Sequence, residues 1–470
     1  MDDDIISYAR KPTKFGRFKL SVKIVCRRIY KQLRKLVFSI VRRLGFRVEV
    51  EELYRSEDQY DRIRQKIELF SHLNRQGYDC CADVLVGMET ERGIMLKQEE
   101  HLESLRLVVA MMKKHIHDKV LQGAALNTLC HILQRIATCK EMRNEILSVL
   151  LKGMEIHLDD RELTKLYCDS LAYFDIPQDV DDYNRLAFLF TSILQKHLPD
   201  KTIQKTMVFR LNTMASHSNE NQKVLIGSLG VIELVLLLIG GKIETGDGDY
   251  LMETAWSFLW TITDNTPMNC EKFLRESGLS LFEDCYQKFY EKQEIVYNMM
   301  GVIGNLAEVE MLRCQLMKDE LLTIFCELLS VGDLSMEISY NSAGVLAHLA
   351  ADKALPWNQV LICRQRVMEN IVKATWAWKL EARRFINYDT FQPLLKLLSE
   401  TNAFGSRHWA VWGIAHLTTT YPKKYCQLLE CEGGVQILED LSDDENATGE
   451  IQELASIALN NIKTWVGKEN

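Results

Sequence analysis

YNMMGVIGNLAEVE, residues 297–310, carries the pattern on which the fold turns. Met300, Ile303 and Leu306 recur at the three- and four-residue spacing of a helix with one buried face. Within it, IGNLA fits a short formula: an apolar residue, any residue, Asn, His, Thr or Ser, then Leu, Ile or Met, then Ala, Thr or Cys. The same core recurs as ALNTLC, CDSLA, LNTMA, LWTIT, LAHLA, IAHLT and LNNIK. Its polar slot falls on Thr128, Ser170, Thr213, Thr261, Asn305, His348, His416 and Asn461. Successive slots lie 42, 43, 48, 44, 43, 68 and 45 residues apart.

Six of those seven intervals have the period of armadillo and HEAT repeats, in which stacked two- or three-helix units share a continuous core. The expected fold is all-α: a right-handed α-solenoid over residues 95–466, with third helices lining a concave groove. IGSLGVIELVLLLI, LRESGLSLFEDCY and CEGGVQILEDL each set a Gly before a short apolar helix, as armadillo second helices do. GGKIETGDGD reads as a loop leading into the helix of Trp260. The 68-residue interval implies an insertion, expected as extra helix within QVLICRQRVMENIVKATWAWKLEARRF.

Composition limits the function. The chain has 470 residues, 47% hydrophobic and 26% charged, and no run of eighteen uncharged apolar residues. MDDDIISYARKP lacks the layout of a signal peptide. Thirteen cysteines without framework spacing point to reduced thiols and to the cytoplasm or nucleus. Fourteen Lys and Arg crowd into residues 9–47 with no acid among them, although the whole chain carries −8. The body is therefore acidic, a poor surface for nucleic acid and a better one for a cationic group such as a peptide amine.

No enzyme motif is present, so no catalytic residue, metal site or cofactor is expected. GGK at 240–242 lacks the glycine spacing of a P-loop, and Ile243 stands where Ser or Thr is needed. Cys80–Cys81 and the pair Cys426 and Cys431 have no histidines at ligand spacing and read as structural thiols.

The repeat register singles out one place. Three residues past the slot stand His131, Tyr173, Ser216, Asp264, Glu308, Ala351, Thr419 and Thr464; only two neighbouring repeats put an acid there. One residue before the slot, only Trp260 is a large aromatic. Neighbouring acids repel and lose solvation, which is costly without a cation. A Lys or Arg of the protein would satisfy them, leaving Trp260 as core. Alternatively they hold a ligand's cation. An α-ammonium has three donors, matched by Asp264, Glu308 and the Asn305 side-chain oxygen, while the Trp260 indole leaves room for hydrogen but little for Cβ. Such a pocket captures a free N-terminus and prefers glycine. Asn341, His348, Trp412 and His416 are candidates for the groove rim, the two histidines as hydrogen-bonding slot residues.

LWTITDNTP, GVIGNLAEVE, SYNSAGVLAHLAAD and HWAVWGIAHLTTTYP resemble the armadillo-like C-terminal region of the zyg-eleven/zer-one family. The resemblance spans about residues 95–466 and is strongest from Glu253 to Leu429. It implies a substrate receptor of a Cullin-2 ubiquitin ligase that binds N-terminal glycine degrons. The family's Trp-x-x-x-Asp and Asn-x-x-Glu pattern falls on Trp260, Asp264, Asn305 and Glu308. Family members carry a cullin/elongin-binding box and leucine-rich repeats before the solenoid, and no LxxLxLxxN series precedes it here. Residues 1–50 instead form a basic segment, followed by a helical cap or linker over 51–94. RFKLSVKIVCRRIYKQLRKLVFSIVRRLGFR, 17–47, reads as a cap on the first repeat, a membrane-surface helix or an import signal. The rival to the degron receptor is a scaffold or transport adaptor that binds extended internal segments along the slot residues.

Overall fold

The computed structural model describes residues 98–133, 139–174, 183–330, 336–382, 384 and 386–469. The basic segment and the expected cap, 1–94, lie outside them. The described residues are helical, without a strand among them, and form two compact units that divide after His157. The first contains α1 (Gln98–Lys114), α2 (Lys119–Leu133) and α3 (Lys140–Ile156).

The second unit is an all-α solenoid of packed helical repeats. It begins with α4 (Arg161–Leu171), α5 (Tyr183–Lys196), α6 (Lys201–Ser216), α7 (Glu220–Ser228), α8 (Val231–Thr245) and α9 (Tyr250–Thr263). There follow α10 (Pro267–Arg275), α11 (Gly278–Phe289), α12 (Gln293–Glu308), a 3₁₀ turn (Glu310–Leu316), α13 (Asp319–Leu328) and α14 (Met336–Ala351). The rest comprises α15 (Arg364–Trp376), α16 (Gln392–Leu398), α17 (Phe404–Thr420), α18 (Pro422–Cys431), α19 (Gly434–Ser442) and α20 (Gly449–Glu469).

The slot residues Thr213, Thr261, Asn305, His348, His416 and Asn461 fall on α6, α9, α12, α14, α17 and α20, which pack one on the next as a row of third helices. Leu211, Leu259, Ile303, Leu346, Ile414 and Leu459 are all buried in that row. Each such side chain contributes about 1.5–3 kcal/mol on leaving water. In α14 every residue but Glu337 and Asn341 is buried, the mark of a helix covered on nearly all sides.

The glycines expected before second helices act in two ways. Gly230 and Gly433 adopt left-handed φ of 84° and 76°, a turn that other residues enter at a cost. At the third site Ser277 takes that conformation, with φ 62°. Gly278 is needed instead for space, because a Cβ there would stand 2.5 Å from the Phe273 ring.

Two expectations need correction. GGKIET is not loop: α8 runs through it to Thr245, because Ile239 and Lys242 are buried and Lys242 Nζ bonds Asp249 Oδ2 at 2.5 Å. The connection is only residues 246–249, and Asp249 then caps α9 by accepting from Met252 N. The insertion is helical only in α15; the connection to α16, residues 377–391, is irregular where described.

Candidate functional site

The end of α9 is shaped by hydrogen bonds that stop the helix. Asp264 leaves helical geometry at ψ 124°, and Asn265 turns the chain at φ 51° before Pro267 starts α10. Buried Asn269 donates to the carbonyls of Ile262 and Lys223 at 2.8 and 3.0 Å, tying α7 to this corner. That tie brings Lys223 to Asp264: its Nζ lies 2.7 Å from Oδ2 and 3.2 Å from the backbone carbonyl.

Trp260 lies flat on α12, where Gly301 makes room for it. A Cβ at Gly301 would meet the indole Cδ2 at 2.2 Å. Tyr297 packs edge-on to the indole with centroids 5.1 Å apart. The Asn305 amide donates to Trp260 O at 2.8 Å and to Thr263 Oγ1 at 2.9 Å. Thr263 spends its own proton on the carbonyls of Leu259 or Trp260, so its oxygen accepts here. Both Asn305 donors are used, and Oδ1 is the atom left with capacity to accept.

Glu308 ends α12. Arg313, in the 3₁₀ turn, binds the carbonyls of Ala307 and Glu308 at 2.7 and 3.4 Å and directs Nη1 to Asp352 at 3.3 Å. It thus caps the helix and pairs with Asp352. Among the described residues, no cation bonds the Glu308 carboxylate. Burial, then the nearby Asp264 charge, push its pKa up to about 7, against the opposing pull of Arg313.

Trp260, Asp264, Asn305, Glu308, Asn341 and His348 line one cavity of about 420 Å³, within the size range of small-ligand sites. His348, 4% exposed, has both ring nitrogens unpartnered among the described residues, and Asn341 Nδ2 is likewise unpartnered. Burial, helped by the Arg313 and Lys396 charges, lowers the His348 pKa to about 3, so the ring is neutral.

Trp412 and His416, expected on the rim, are buried away from this cavity. Their rings stack at 5.0 Å, and His416 Nδ1 donates to Leu380 O at 2.7 Å. They support the connection that follows α15. Sequence reasoning also missed Lys223, which sits on α7 outside the repeat register, and Tyr388 and Asp389, which reach the cavity from residues 377–391.

A family model described as "Protein zer-1 homolog-like, C-terminal domain" matches residues 110–464. The chain belongs to this zer-1 homolog-like family. It is 47% identical over 371 residues to Zyg eleven-related protein 1 of Caenorhabditis elegans, covering 79% of this chain and 42% of that protein. It is 37% identical over 358 residues to protein zer-1 homolog of Homo sapiens, covering 75% and 47%. With the Drosophila melanogaster zer-1 homolog the identity is 34% over 388 residues, covering 76% and 49%. The chain therefore matches less than half the length of these zer-1-like relatives.

Proposed function

We propose that this protein is the substrate-recognition part of a Cullin-2 type ubiquitin ligase, capturing proteins by a free N-terminal glycine and committing them to degradation. The carrying observation is the charge count in the cavity. Three carboxylates line it: Lys223 pairs with Asp264, Lys424 with the exposed Asp389 at 3.5 Å, and Glu308 is left without a cation among the described residues. A monocation restores balance, and the acceptors at hand suit an ammonium: Glu308, the free lone pairs of Asp264, and Asn305 Oδ1. The half-buried Trp260 face beside them suits a first residue without Cβ.

The ligase role rests on the family. Elongin and Cullin-2 contacts belong to the proposal, as does a cytoplasmic or nuclear setting. The scaffold reading loses support from the slot side chains. Slot residue Thr261 donates to Asn212, and slot residue Asn461 donates to Thr418 and Thr419, so these side chains serve helix packing.

Calorimetric titration with a glycine-start peptide, free and N-acetylated, tests the reading. Acetylation removes the charge and should abolish binding, since a buried carboxylate without its partner costs about 3–5 kcal/mol. Equal affinity for the two peptides would end the amine-capture reading.

A further inference from the structure

The repeat between His348 and His416 is longer than the others, and part of its extra chain lies against the candidate site. Residues 386–390 all line the 420 Å³ cavity. Asp389 also lines an adjoining cavity of about 480 Å³ together with Ser218, Asn219, Lys223 and Asp264. The segment therefore borders the cavity together with residues of α14, α12 and α9, and Asp389 shares the adjoining cavity with the turn before α7.

It is held there from outside the cavity. Asn387 Oδ1 accepts from Lys424 Nζ at 2.7 Å and from Tyr425 Oη at 2.8 Å. The Tyr388 amide donates to Tyr425 Oη at 3.1 Å, and the Phe391 amide to Glu432 Oε2 at 2.7 Å. On the inner side, Tyr388 Oη meets Tyr340 Oη at 3.1 Å. Upstream, Trp378 packs edge-on to Trp412 with centroids 5.0 Å apart, and Leu380 accepts from His416. The segment makes no regular ladder or helix, yet its polar backbone and side chains are fixed by α14, α17, α18 and Glu432.

We infer that residues 386–391 are a strap across the row of third helices that makes the cavity accept a chain end and reject a continuing chain. An open armadillo groove takes an extended segment that passes through. Here a polypeptide meets the strap at the amine-binding end, so whatever continues beyond the first nitrogen collides with it. The strap supplies steric selection and the acids supply charge selection, two independent filters for the same terminus. This inference rests on the amine-capture reading and assigns the exclusion of internal segments to a named element.

The test keeps charge constant while lengthening the ligand at its nitrogen. Peptides starting with glycine, N-methylglycine, N-propylglycine or N-benzylglycine all carry one positive charge. The unmodified protein should bind them in falling order. Tyr425→Phe removes the hydroxyl that holds Asn387 and Tyr388, and Glu432→Ala frees Phe391; neither residue lines the cavity. In each variant the preference for glycine over N-benzylglycine should shrink about tenfold or more, the scale of relieved overpacking, with glycine binding changed less. Lys424→Ala, at an exposed position, serves as a third variant should either of the others fold poorly. An unchanged ranking in folded variants would overturn the strap and leave amine capture standing. Equal binding of acetylated and free glycine peptides by the unmodified protein would overturn both.

Discussion

Lys223 holds Asp264 with a 2.7 Å ion pair in which the lysine side chain is 9% exposed and the aspartate 39%. Of the two acids that α9 and α12 bring to the cavity, Asp264 is therefore bound into the fold and Glu308 is not. Asp264→Asn should cost stability as well as binding, because it strands a buried ammonium. A fully buried broken pair costs about 3–5 kcal/mol, and solvent at Asp264 brings this to about 1–3 kcal/mol. Chemical denaturation of the variant checks it. Unchanged stability would mean that Lys223 finds another acceptor.

Glu308→Gln should behave in the opposite sense. Its carboxyl sits near pH 7 in the fold, raised from 4.5 by burial and by Asp264. A raised carboxyl favours the folded state below its unfolded pKa, and this contribution is lost as pH rises through about 7. The glutamine variant escapes that loss. It should melt higher than the unmodified protein at pH 8 and match it near pH 4.5, with a gain of up to about 3 kcal/mol. It should bind glycine peptides poorly at both values. A lower melting temperature at pH 8 would mean that Glu308 has a structural cation.

Peptide binding should follow a bell in pH. The acid limb comes from Glu308, which must lose its proton to hold an ammonium and does so near 7. The basic limb comes from the peptide amine, whose pKa is about 7.7–8.0. Affinity should climb from pH 6 to about 7.5 and fall beyond about 8, and Glu308→Gln should lose the acid limb. His348 does not contribute, since its pKa lies near 3. A flat profile between pH 6 and 7.5 would contradict the role given to Glu308.

Gly301→Ala tests the seat of the indole. Its Cβ would fall 2.2 Å from Trp260 Cδ2, so the ring must lift away from α12 into the cavity. Overpacking of this kind costs about 1–3 kcal/mol. Glycine-peptide affinity should drop about tenfold or more while the helical circular dichroism is unchanged. Retained affinity would show that the ring has another resting place.

The slot residues were enough to read the fold, because their spacing is imposed by helices that bury the same face in every repeat. The same register brings out Trp260, Asp264, Asn305 and Glu308, which the structure gathers in one cavity. Lys223 is not legible this way: it lies 41 residues before Asp264 on α7, outside the row of third helices, and the bonds of Asn269 and Lys272 to α7 carbonyls bring the two together. His416 misleads for a related reason. It occupies the slot as His348 does, but it is buried and bonded to the Leu380 carbonyl of the connection after α15. The GGK stretch misleads because its helix depends on tertiary burial of Ile239 and Lys242, which no local glycine count registers.

Trp260 itself sets the last expectation. With an ammonium held by Asp264, Asn305 and Glu308, the first residue's Cα hydrogens face the indole. The ring is pinned by the Gly301 backbone beneath it and by Tyr297 at its edge. It cannot retreat from an added methyl. Replacing glycine by alanine at position one should cost about 1–3 kcal/mol, or roughly tenfold to hundredfold in affinity. Serine and leucine should bind worse in turn. In Trp260→Ala the wall is gone, so the ranking should flatten, while glycine binding weakens through lost contact. A four-peptide series titrated against both proteins separates these effects. If Trp260→Ala keeps the full preference for glycine, the selecting surface lies elsewhere in the cavity, and Tyr388 of the strap becomes the residue to change.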